Sequence, residues 1–101
     1  MKLKRVVVTG LGALTPIGNS IDELWNNLLN GVSGADRITR FDTTKFKTQF
    51  ACEIKGFKVE DYFDRKEGRK LDAYSHYGLA AAQEAYRDSL EELVHLLHRT
   101  A

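Results

Sequence analysis

The stretch Val6-Val7-Val8-Thr9-Gly10-Leu11-Gly12-Ala13-Leu14-Thr15-Pro16-Ile17-Gly18-Asn19 decides how this chain is read. Its consecutive β-branched residues, Val6 to Val8, predict a strand covered on both faces, as in the parallel sheets of α/β proteins. Gly10 and Gly12 end that strand. The segment from Thr9 to Asn19 holds three glycines and the only proline, Pro16, and is expected to be a turn-rich loop. Ser20-Ile21-Asp22-Glu23 then matches a capping box, in which serine hydroxyl and glutamate carboxylate satisfy the free N–H groups at a helix start. Ile21, Leu24, Trp25, Leu28 and Leu29 recur at helical spacing, and Gly31 supplies a left-handed stop. The first unit is therefore strand, loop and helix.

Outward from that unit the signals weaken. Between Val32 and Thr48 apolar residues are sparse and unperiodic, which predicts a long surface connection anchored by Ile38, Phe41 and Phe46. Phe50 to Ile54 alternates weakly as a short strand ending at Gly56, and one helical turn each is expected over Val59 to Phe63 and Asp64 to Lys70. Leu71 to Ser89 is the longest periodic segment and predicts a helix. Gly78, Ala81 and Ala85 give it a face without bulk, against which another element can pack closely.

At 101 residues the chain is at most one domain, and 43% hydrophobic with 29% charged residues is a soluble globular balance. A formal net charge of +1 leaves recognition to local clusters, so nucleic acid is not an expected partner. The apolar run after Met1 meets Thr9 and Gly10 before a signal-peptide core forms, and no run reaches the roughly 18 apolar residues of a membrane span. One cysteine, Cys52, makes no internal disulfide, which fits a reducing cytoplasm.

Four features invite chemistry. Gly10-Leu11-Gly12 after a strand suggests a dinucleotide site. However, Thr15 takes the place of the third glycine, Pro16 follows it, and a helix starting near Ser20 is too late to aim its dipole at a phosphate there. Cys52 as a nucleophile needs a base or helix N-terminus, and in Phe-Ala-Cys-Glu-Ile it reads as a small core residue. His95 and His98 have a metal-compatible spacing but no third ligand nearby, so solvated helix histidines, no metal and no cofactor are expected. Lys66, Arg69 and Lys70, at i, i+3 and i+4, line one helical face. That ridge is either a solvated charged face or a site for an acidic protein surface or a phosphate.

Taken in order, Val6 to Asn19, Gly31-Val-Ser-Gly34, Phe41-Asp42 and Arg65-Lys-Glu-Gly-Arg-Lys-Leu-Asp72 closely resemble the start of bacterial β-ketoacyl-(acyl-carrier-protein) synthases, type II. The resemblance runs from about Leu3 to Ser89. It implies the N-terminal part of a thiolase-like layered α/β/α/β/α fold, in homodimeric enzymes that extend fatty acyl chains. In that family a cysteine at a helix N-terminus carries the acyl group, and two histidines assist malonyl decarboxylation. All three are expected beyond the end of this chain, and Cys52 does not match the nucleophile's motif. One role carries over residue by residue. The family's basic face for the acidic acyl carrier protein falls on Lys66, Arg69 and Lys70.

After Ser89 the chain departs from the family pattern. Residues 90–101 lack the expected glycine stop and extend an apolar stripe through Leu90, Leu93, Val94 and Leu97, as a frameshift, truncated gene or engineered end would produce. The expected division is thus a partial ketoacyl synthase domain over 1–89 and a divergent helical tail over 90–101. Two alternatives to an inactive enzyme portion stay open: a carrier-protein-binding module, and a helical interaction protein using the tail.

Overall fold

A computed structural model describes residues 3–100 of the chain. Helix α1 spans Ile21–Leu29. Ser20 caps it in extended conformation, its Oγ accepting the Glu23 N–H at 3.2 Å, as the capping box predicts. At its other end Gly31 has φ +68°, the Val32 N–H donates to the Asn27 carbonyl at 2.9 Å, and the Gly31 N–H donates to the Leu28 carbonyl at 3.2 Å. This pair of bonds is a Schellman stop, and only glycine reaches that φ without steric cost.

Strands β1 (Ala35–Arg37) and β2 (Phe50–Cys52) pair antiparallel, with Asp36 opposite Ala51. β2 lies where alternation predicts it. β1 lies inside the stretch read as a connection, because a three-residue strand carries no visible period and is set by its partner. A 3₁₀ turn at Val59–Asp61 and helix α2 (Arg65–Gly68) occupy the two expected helical turns. Helix α3 runs over Ala73–Thr100, 28 residues or about 42 Å. It starts two residues later than the periodicity suggests, where the Asp72 carbonyl accepts the Ser75 and His76 N–H groups, and it passes through Ser89 without a break.

The expected strand at Val6–Val8 does not form. No regular structure covers residues 3–14, and these valines are 89%, 66% and 79% exposed. The physical reason is non-local: valine favours a pleated, covered surface, but a strand exists only through a ladder partner. The one sheet among the described residues is β1–β2, which does not reach this segment.

The glycine loop beyond the valines is firmly seated. A Cβ built on Gly10 would overlap the Ala85 carbonyl oxygen, and one on Gly12 would overlap that of Ala81. The loop backbone therefore lies directly on the small-residue face of α3, as the run of small residues predicts for Ala81 and Ala85. Gly78 takes no part, with nothing within 4 Å of its Cβ position. Two carboxylates one helical turn apart complete the seam. Asp88 Oδ2 accepts the Leu11 N–H at 3.0 Å, while Glu84 accepts the Ala13 N–H at 2.8 Å and the Ile21 N–H at 3.0 Å. Glu84 thus binds both the loop and the first turn of α1, where a negative charge suits the helix dipole. Lys55 closes the other side by donating to the carbonyls of Pro16, Gly34 and Glu53.

Little is buried. Ala80, 4% exposed, is the buried hydrophobic residue among those described, while Trp25, Leu28 and Leu29 of the expected apolar face stay exposed. The radius of gyration is 18.1 Å, against about 13 Å for a compact domain of 100 residues. No described helix is long and apolar enough to cross a membrane.

Candidate functional site

The cationic segment sits on a short, anchored element. Asp64 precedes α2 in extended conformation, and the Gly68 N–H donates to the Asp64 carbonyl at 2.8 Å. Gly68 is buried because α2 rests on the preceding 3₁₀ turn, where an added Cβ would stand 2.9 Å from Val59 Cγ1. From α3, His76 Nε2–H donates to the Gly68 carbonyl at 2.8 Å, and its ring packs 5.4 Å from that of Phe63. A carbonyl only accepts, so Nε2 carries the hydrogen. His76 is 8% exposed, which makes this bond the fastening between α2 and α3.

The predicted three-residue helical face is shorter than expected. Only Lys66 lies within α2; Arg69 is its C-cap with helical dihedrals (φ −71°, ψ −19°), and Lys70 follows in a turn closed by its N–H to the Glu67 carbonyl at 3.1 Å. Gly68 explains the early end, since it lowers helix propensity in the middle of the ridge. Lys66, Arg69 and Lys70 are nonetheless all exposed, and none forms an ion pair with a described residue. These three exposed cations, with no ion pair to a described residue, lie beside the buried Gly68 and the His76 that holds it.

Cys52 and the two tail histidines lie elsewhere. Cys52, read as a core residue, is exposed, because the β1–β2 ribbon has nothing packed over that side of β2. His95 and His98 are exposed on α3, and no group of three His, Cys, Asp or Glu among the described residues can hold a metal. A cleft of about 360 Å³ opens between the start of α1 and α3, lined by Ser20, Asp22, Tyr62, Glu84 and Arg87 among others. It carries no cysteine or histidine.

Sequence reasoning missed the fastenings. Glu84 had one signal, a carboxylate set among small residues of a face reserved for close packing. Lys55 and His76 had none. A further tie joins the connection to α3: Arg40 Nη2 donates to Tyr77 Oη at 2.6 Å, and Arg40 Nε lies 3.7 Å from Glu53. The Tyr77 hydroxyl, with Glu53 adding to it, raises the Arg40 pKa above its ordinary value. Phe57 stacks on Tyr62 at 5.1 Å and meets Tyr77 edge-on at 5.2 Å.

Residues 3–93 match the family model of the β-ketoacyl synthase N-terminal domain. The chain belongs to the β-ketoacyl synthase family. It is 49% identical over 86 residues to 3-oxoacyl-[acyl-carrier-protein] synthase 2 of Staphylococcus aureus strain COL, covering 85% of this chain and 21% of that protein. The synthase 2 of Vibrio cholerae is 48% identical over 89 residues, 88% of this chain and 22% of its own. Among solved structures, the ishigamide ketosynthase/chain length factor superposes with a TM-score of 0.75 at 35% identity, over 82% of this chain and 21% of that one. The fold is accordingly a part of the ketosynthase α/β architecture, and the chain spans about a fifth of the length of the relatives it matches.

Proposed function

We propose that this chain is the N-terminal portion of a 3-oxoacyl-[acyl-carrier-protein] synthase, an enzyme of fatty acid biosynthesis that condenses malonyl-carrier protein with an acyl thioester. On this reading the chain alone catalyses no condensation and works in the cytoplasm. Its contribution is recognition. Lys66, Arg69 and Lys70 receive the acidic acyl carrier protein, and the assembled enzyme is a homodimer. The reading rests on one observation above others: the three cations are exposed, unpaired with described residues and held on a turn anchored through Gly68 and His76. Complementary charge of this kind sets association rate and register more than bulk affinity.

The test is a titration with acyl carrier protein at low salt. Lys66→Glu with Arg69→Glu should weaken binding by about 10-fold or more, and the loss should shrink as salt screens the surface. Unchanged affinity contradicts the docking role. The same preparations, given acyl and malonyl donors, should yield no 3-oxoacyl product.

A further inference from the structure

We infer that residues 90–97 of α3 are a self-association site, on which the same segment of a second copy of this chain packs antiparallel. The segment is a rod that leaves the body of the fold. Every residue from 90 to 98 is exposed, with Leu90 at 42%, Leu93 at 53%, Val94 at 52% and Leu97 at 60%. These four share one side of the helix, within an arc of about 100°. Leu90 follows Ala81 by nine residues, about two and a half turns, so the stripe faces away from the seam where Ala81 meets Gly12. A helix gains most of its stability by packing an apolar face, and no part of the body stands behind this one. The match to the family model stops at residue 93, inside the stripe, so family membership does not account for it.

The occupant follows from the symmetry of the stripe. Leu90, Leu93, Val94 and Leu97 have the same spacing read in either direction. A two-fold axis between Leu93 and Val94 therefore sets Leu90 of each copy against Leu97 of the other, and Leu93 against Val94. Self-complementarity of this kind is what a two-fold contact requires. The polar flank agrees with it. Glu91 and His98 are seven residues apart, about two turns, so both border the stripe on one side, where they line an open groove with Leu90 and Val94. Arg87, one turn before Glu91, continues that flank. In the antiparallel pair His98 of each copy falls midway between Arg87 and Glu91 of the other, offset from each by about 3 Å along the axis. A neutral imidazole suits that place, because one ring nitrogen donates to the carboxylate and the other accepts from the guanidinium. Parallel pairing would set Glu91 against Glu91 and align the two helix dipoles, and both arrangements are unfavourable.

Four apolar side chains per copy fall short of the about 800 Å² per partner of a standard interface, so a weak dimer is expected and is read at about 100 μM. Sedimentation equilibrium of the full chain should show reversible monomer and dimer. Leu93→Lys should lower the association constant at least about 10-fold, since each copy would carry a charge into the contact. Leu93 is more than half exposed in the single chain, so the helical circular dichroism of dilute protein should not change. Direction is read by disulfide capture in a Cys52→Ser background. Leu90→Cys mixed with Leu97→Cys should give the cross-linked pair, and Leu90→Cys alone at least about 10-fold less. Its two copies would stand about 10 Å apart along the axis, beyond the about 7 Å between Cα atoms that a disulfide spans. A chain that stays monomeric at about 100 μM overturns the proposal, as does a dimer that Leu93→Lys leaves undiminished. Leu90→Cys linking to itself as readily as to Leu97→Cys overturns it equally. Lys66→Glu with Arg69→Glu should dimerise like the parent chain, so the carrier-docking result is read separately.

Discussion

Gly12 and Glu84 hold the loop to α3 in different ways, and each can be removed alone. Alanine at Gly12 places a Cβ into the Ala81 carbonyl, so the loop must lift from the helix. Overpacking of this kind costs about 1–3 kcal/mol. Glu84→Gln keeps the shape but leaves one acceptor for two N–H groups, so one of the charge-assisted bonds from Ala13 and Ile21 is lost, at about 1.5–3 kcal/mol. Amide exchange at Ala13 and Ile21 should accelerate in both variants. The two effects should not add, because both lift the same loop. Full additivity would mean that the glycine seam and the carboxylate clamp act on separate structures. Neither contact was legible in sequence, where Gly12 read only as the end of a strand. The small face of α3 announced a close approach without naming the loop that makes it, and Glu84 stood out only as a carboxylate set among those small residues.

At the scale of elements, the position of α2 depends on the His76 bond to the Gly68 carbonyl. His76→Phe keeps an aromatic ring near Phe63 but removes the donor, leaving a buried carbonyl unpaired at a cost of about 1–3 kcal/mol. Carrier-protein affinity should fall several-fold, although the charges of Lys66, Arg69 and Lys70 are untouched and α3 keeps its helicity. An unchanged affinity would show that the cations need no anchored turn. Elements with local codes were readable: the Ser20 cap, the Gly31 stop and the helical period of α3 each act within a few residues of their own sequence. Those that depend on distant partners were not. β1 exists through pairing with Phe50–Cys52, the Lys66–Lys70 ridge is cut short by Gly68, and Val6–Val8 has strand chemistry without a strand.

Across the whole molecule, polar fastenings take the place of a core. Glu84, Asp88 and Arg40 tie loops to α3, Lys55 ties loop to loop and His76 ties α2 to α3, while Val6–Val8, Trp25, Leu28, Leu29, Leu90 and Leu93 leave large apolar faces uncovered. Hydrophobic burial is the dominant favourable term in folding, so a chain that keeps these faces exposed is only marginally stable by itself. Residue-resolved hydrogen exchange on the monomeric chain tests it most directly. The account predicts measurable protection at Ala13, Ile21 and through Ala81–Ala85, together with unprotected exchange at Val6, Val7 and Val8. Strong protection of the valines in a monomer, or none along the α3 seam, would contradict it.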